Sequence, residues 1–151
     1  MPVFYTIDPT LNLLFYAALG DCTGAQFIQA ARQSTQDPVR RPNMLIIFDL
    51  ISMTDLDFDV STLRQGVTYL REWHNLGNSA EKTAIISKSS FASNLLSSFE
   101  LMTSGFASNW KIVPDLPSAL SWLDLTASTP EVLQIQAAFT YNKWKTSISA
   151  A

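Results

Sequence analysis

Charge is scarce in this chain. Only 15% of its 151 residues are Asp, Glu, Lys or Arg, where about a quarter is usual for a globular domain. Thirteen acidic and ten basic side chains leave a net charge of −3, and the densest basic cluster is the pair Arg40 and Arg41. Sequence-independent affinity for DNA or RNA needs several basic groups reaching phosphates together, so no nucleic-acid partner is expected. Cys22 and His74 are each the sole residue of their kind. That excludes an intrachain disulfide and a cysteine-based metal site, and no metal or cofactor is expected. No apolar run approaches the ~18 residues of a membrane helix, so no integral membrane segment is expected. The opening Met1-Pro2-Val3-Phe4-Tyr5-Thr6-Ile7-Asp8 lacks a basic segment ahead of an apolar stretch, and the expectation is a cytoplasmic protein.

Apolar residues are plentiful at 47%, enough to close one hydrophobic core in a chain of this length. Val3–Ile7 and Leu11–Leu19 are rich in β-branched and aromatic residues and flank Asp8-Pro9-Thr10, which predicts a hairpin. Gly20-Asp21-Cys22 breaks the second strand. Thr23 followed three residues later by Gln26 is a capping-box signature, and it opens a helix over about 24–34. Met44 to Phe48 is a short continuous apolar run, as in a central parallel strand covered on both faces. An acidic loop follows, then a helix over about 60–75 with Val60, Leu63, Val67, Leu70 and His74 on one stripe.

Thr83 to Ser87 reads as the next buried strand. A helix over about 90–104 comes after it, with Ser90 as N-cap, Phe91, Leu95, Phe99 and Met102 inward, and a serine-rich back. Trp110 to Val113 is the last strand. Asp115 and Pro117 open a final core helix bearing Leu116, Ala119, Leu120 and Leu123. Strand and helix alternate after the hairpin, which implies an α/β fold with a mixed, mostly parallel sheet. Residues 1–125 form the α/β domain, and 126–151 a linker and C-terminal helical extension. In that extension Val132, Ile135, Phe139, Tyr141 and Trp144 wrap more than one face, as an interface would.

Three motifs invite chemistry. Asp55-Leu56-Asp57-Phe58-Asp59 has calcium-loop spacing, but Val60 and Gly66 stand where an EF-hand needs glycine and glutamate. Capping of the following helix by Asp57 or Asp59 is the favoured reading. His74 beside Trp73 has no nucleophile near it in sequence, and reads as a helix-end histidine. Cys22 lies ahead of a helix N-terminus, where a thiol pKa can fall, yet a lone cysteine is usually a small buried residue. No catalytic residues converge, so an enzyme is not expected.

The hairpin, Gly20, Thr23-Gly24-Ala25-Gln26-Phe27, the strand ending Phe48-Asp49-Leu50, Lys82-Thr83-Ala84-Ile85-Ile86 and Ser118-Ala119-Leu120-Ser121-Trp122-Leu123 together resemble the SpoIIAA-like (STAS/SEC14-like) domains. The resemblance spans residues 3 to 124 and implies a small sheet with helices mainly on one side. It also implies a phosphoacceptor after the Asp-Leu strand, for which Ser61 and Thr62 lie near the expected place, although the glycine of that motif is missing. The resulting expectation is a non-enzymatic regulatory or protein-interaction module that associates with itself as a homodimer. The alternative is a binder or carrier of an apolar small molecule or lipid, with Phe91, Leu95, Phe99, Met102 and Phe106 lining its pocket.

Overall fold

The computed structural model describes residues 3–41, 43–57, 59–75, 82–88, 90, 94, 97 and 110–125. Strands β1 (Val3–Asp8) and β2 (Leu13–Ala18) form the expected antiparallel hairpin. Its turn is built on Asp8, whose Oδ1 accepts the N–H groups of Thr10 and Leu11 at 2.9 and 3.1 Å. Asn12 completes the turn with φ 53°, a left-handed conformation that asparagine tolerates better than most residues. Asn43 does the same two residues before Leu45, with φ 60°, and the Asn12 side chain donates to its carbonyl at 3.3 Å.

The main sheet has the order β1-β2-β4-β6-β7, completed by β4 (Leu45–Asp49), β6 (Thr83–Ile86) and β7 (Trp110–Val113). β2, β4, β6 and β7 run parallel, so β4 is central and its unbroken apolar run is explained by cover on both faces. Along β2, Leu13 and Phe15 join Ile47, Ala84, Ile86 and Val113 on one face. Leu14, Tyr16 and Ala18 join Val3 and Ile46 on the other, as the period of two requires.

Helix α1 (Gly24–Gln36) covers the second face, burying Gly24, Ile28, Ala30 and Ser34. Its capping box is complete: the Thr23 hydroxyl accepts the Gln26 N–H at 3.2 Å and the Gln26 side chain accepts the Thr23 N–H at 2.8 Å. Ser34, at the buried end, donates to the Ala31 carbonyl at 2.7 Å and lies 2.6 Å from the Tyr16 hydroxyl. Helix α2 (Val60–Asn75) packs on α1, with Tyr69 Oη 2.6 Å from Thr35 Oγ1.

Helix α3 (Leu116–Trp122) is capped by Asp115, which accepts the Ser118 N–H at 2.8 Å. Its Ala119 and Leu120, with Leu123, fill the first face. α1, with α2 packed on it, covers the second face and the short α3 covers the first, so both apolar faces of the parallel strands are closed.

Four differences concern single segments. Val60 is 65% exposed and does not belong to the apolar stripe of α2, whose described members Leu63 and Val67 are half-buried and buried; the side chains of Leu70 and His74 lie outside the described residues. Ser90 is already helical and so sits inside its helix instead of capping it. Ser90, Asn94 and Ser97 are all helical and exposed, in keeping with the serine-rich back. Gly20-Asp21-Cys22 and the acidic loop, both taken as irregular, are strands.

Candidate functional site

Those two missed strands, β3 (Gly20–Thr23) and β5 (Met53–Asp57), pair in parallel as a separate two-stranded ribbon. They follow directly from β2 and β4, which are themselves parallel neighbours. The ribbon is therefore a bent continuation of the central strand pair beyond the carboxyl end of the sheet. Gly20 makes the bend on one strand, with φ 67°, where a side chain would be strained. Asp49 makes it on the other. It is 1% exposed on the α3 side of the sheet, and its Oδ1 accepts the Ile51 N–H at 3.1 Å. The Gly20 N–H closes onto the Ser52 carbonyl at 2.9 Å.

The register then shifts between Gly20 and Asp21, so that Gly20 faces Met53 and Asp21 faces Asp55. Thr54 is the extra residue of this bulge, and its hydroxyl donates to Asp21 Oδ1 at 2.8 Å. Beyond it the ribbon is two-faced. Cys22 and Leu56 are opposite one another and pack into the α1-side core together with Met53. Asp21, Thr23, Asp55 and Asp57 share the outward face, and all four are exposed. Asp21 and Asp55 stand as direct cross-strand partners, a like-charge pairing that costs stability.

The calcium-loop reading fails on this geometry. Asp55 and Asp57 alternate along a strand, while an EF-hand needs a turning loop. Among the described residues, no group of three or more His, Cys, Asp or Glu side chains is placed to hold a metal ion. Asp59 is engaged elsewhere. Its Oδ1 accepts the Thr62 N–H at 2.7 Å, and it is the cap of α2. That backbone hydrogen bond, with a second from the Thr62 hydroxyl, holds the Asp59 carboxyl below the usual carboxylate value.

Ser61 and Thr62 thus occupy the first turn of α2, one exposed and one half-buried. A phosphate on either would enjoy the positive end of the helix but would meet Asp59 already bound there, with Asp57 two residues away. Like charge at such a position disrupts more readily than it orders. Cys22 resolves in favour of its bland reading. It is 2% exposed, and its Sγ lies 3.5 Å from the Leu19 carbonyl oxygen. Burial pushes the thiol up, against the downward pull of that contact.

The sequence-predicted pocket residues Phe91, Leu95, Phe99, Met102 and Phe106 lie outside the described residues. So do the interface residues Val132, Ile135, Phe139, Tyr141 and Trp144, and with them the whole extension 126–151. The ribbon is what sequence reasoning missed. The alternation Asp55-Leu56-Asp57 was its signal, masked because aspartate is depleted in strands.

Comparison with known proteins bears on the fold alone. No protein-family model matches the chain, and no curated protein matches it. Among solved structures it is similar to an uncharacterised protein of the DUF3478 family, with a SpoIIAA-like fold, from Shewanella loihica PV-4. The TM-score is 0.54 at 18% sequence identity, covering 80% of this chain and 93% of that one. The class is therefore a mixed α/β fold with a mostly parallel sheet. In particular, it is the SpoIIAA-like fold.

Proposed function

We propose that this chain is a non-enzymatic, regulatory protein-interaction module of the cytoplasm that associates with itself. The observation carrying this reading is the contrast between two sets of described aspartates. Asp8, Asp37, Asp49, Asp59 and Asp115 each accept a backbone N–H, and so serve the fold. Asp21, Asp55 and Asp57 face outward on the ribbon, and the exposed aliphatics Ile51 and Val60 flank β5. Acidic groups beside exposed apolar area suit a partner of complementary charge.

The low overall charge supports the same reading, and the sequence offers Val132, Ile135, Phe139, Tyr141 and Trp144 as further apolar contacts. Among the described residues no helix is long and apolar enough to cross a membrane. Sedimentation velocity of the full chain over a roughly hundred-fold concentration range tests the proposal. A sedimentation coefficient rising with concentration is expected, and a monomer throughout would overturn it. The carrier alternative rests on Phe91, Leu95, Phe99, Met102 and Phe106. Native mass spectrometry reads it directly, since an adduct lost on denaturation would replace the interaction reading. A covalent phosphate surviving denaturation would reopen Ser61 or Thr62 as the acceptor.

A further inference from the structure

The two poles of the sheet differ in charge: among the described residues the amino pole mixes Arg40, Arg41 and Lys82 with Asp8, Asp37 and Asp124, and the exposed Arg41 stands at one corner of it. At the carboxyl end, the outward face of the ribbon presents the exposed Asp21, Asp55 and Asp57, Asp21 also accepting the Thr54 hydroxyl, and the exposed Ile51 and Val60 flank β5 in sequence. At the amino end of β4, the connection from α1 presents Arg40 and Arg41 next to Val39, which is 43% exposed. The acid of that connection, Asp37, is engaged within the chain. Its Oδ2 accepts the Tyr5 hydroxyl at 3.0 Å and its Oδ1 the Val39 N–H at 3.0 Å. Arg41 is exposed, and its carbonyl accepts from Arg40 Nη1 at 3.1 Å.

The five residues of β4 alone separate these poles by about 16 Å, and the ribbon lies beyond them. That distance exceeds the screening length of about 8 Å at physiological salt. The two surfaces do not neutralise one another within a single chain, but they do between chains.

We propose that a second copy docks head to tail, its Val39–Arg41 corner seated on the outward face of the ribbon. This rests on the self-association reading above and names the two surfaces that meet. The Arg41 guanidinium fork suits a carboxylate bidentately, and Arg40, half-buried with Nη1 on the Arg41 carbonyl, adds positive charge beside it. Val39 supplies an apolar contact to the aliphatics flanking β5. The contact joins unlike surfaces, so each added copy leaves one of each free, and the assembly grows or closes into a ring. It also relieves the repulsion between Asp21 and Asp55 that the isolated ribbon bears.

The test is sedimentation velocity of the full chain at about 0.05 M and about 1 M salt, with variants of each surface. Asp55→Lys with Asp57→Lys reverses the ribbon, and Arg41→Glu reverses the corner while leaving Arg40 in place. Self-affinity is expected to fall about ten-fold for the ribbon variant and about five-fold for Arg41→Glu. An equimolar mixture should associate again, because the intact corner of the ribbon variant then meets the intact ribbon of the Arg41→Glu variant. Should a reversed chain fail a far-ultraviolet circular dichroism check, Asp55→Asn with Asp57→Asn and Arg41→Gln replace it, and the readout becomes a reduced salt dependence. Association unchanged in all variants would overturn this docking mode while leaving self-association standing. A wild-type monomer at every concentration would overturn both. Variants that lose association and do not regain it on mixing would also overturn the docking mode.

Discussion

Replacing Ile47 by alanine should be among the most damaging single changes in the described core. Ile47 has 0% of its surface exposed, in the central strand, with Phe15 and Ala84 as its register neighbours and the α3 residues in the same cluster. The change removes three carbons, worth about 0.8 kcal/mol each in transfer. It also leaves a cavity that rigid strands on both sides cannot fill. The total expected loss is about 3–4 kcal/mol, a large share of the 5–15 kcal/mol typical of a domain. In a chain of this length that lowers the melting temperature by roughly 10 °C. Ile47→Val should cost about 1 kcal/mol. Val60→Ala is the control: Val60 is 65% exposed, and its loss should stay within about 0.5 kcal/mol. Urea titrations followed by circular dichroism and tryptophan fluorescence supply all three values. If Val60→Ala proved as costly as Ile47→Ala, the placement of β4 at the centre and of Val60 at the surface would both be refuted.

Three other outcomes follow from particular groups. Gly20→Ala should destabilise by about 1 kcal/mol, through its φ of 67° alone, since nothing lies within 4 Å of an added Cβ; an unchanged urea midpoint would show that the bend does not need this conformation. The Asp59 and Asp115 carboxyls are both held below their ordinary value of 3.8, Asp59 by the Thr62 backbone N–H first and Asp115 by the Ser118 hydroxyl first. Because their folded values are depressed, the stability they contribute is full above the ordinary value and is lost as pH falls through the folded ones. The urea midpoint should therefore drop on acidification, less steeply for Asp59→Asn with Asp115→Asn, and equal slopes would count against the caps. The Cys22 thiol, raised first by burial, should react with a disulfide reagent far more slowly in native protein than in urea, with comparable rates pointing to an exposed thiol.

Much of the fold was legible in the sequence because its signals are local. The Thr23/Gln26 box, the Asp115–Pro117 start and the apolar runs at Met44–Phe48 and Thr83–Ser87 each specify an element through the chemistry of adjacent residues. α2 falls at Val60–Asn75, as the spacing predicted. Val60, however, shows that a helical period places a residue on a stripe without saying how far the neighbouring layer extends, and at the first turn nothing covers it. Ser61 and Thr62 were placed correctly beside a helix start, but that Asp59 already holds the Thr62 N–H is visible only in three dimensions.

By itself, then, the sequence determined which segments are strands and helices where caps and apolar periods speak, the absence of an intrachain disulfide, and an α/β order of elements. The tertiary structure decided the rest. It paired Gly20–Thr23 with Met53–Asp57 as a ribbon, since two segments thirty residues apart become strands only when the parallel neighbours β2 and β4 deliver them side by side. It set α1 and α3 on opposite faces, because which face a helix covers depends on the crossover and not on its own composition. It gathered Asp21, Asp55 and Asp57 onto one outward surface, because a strand's faces acquire an inside and an outside only once the core beneath them has formed.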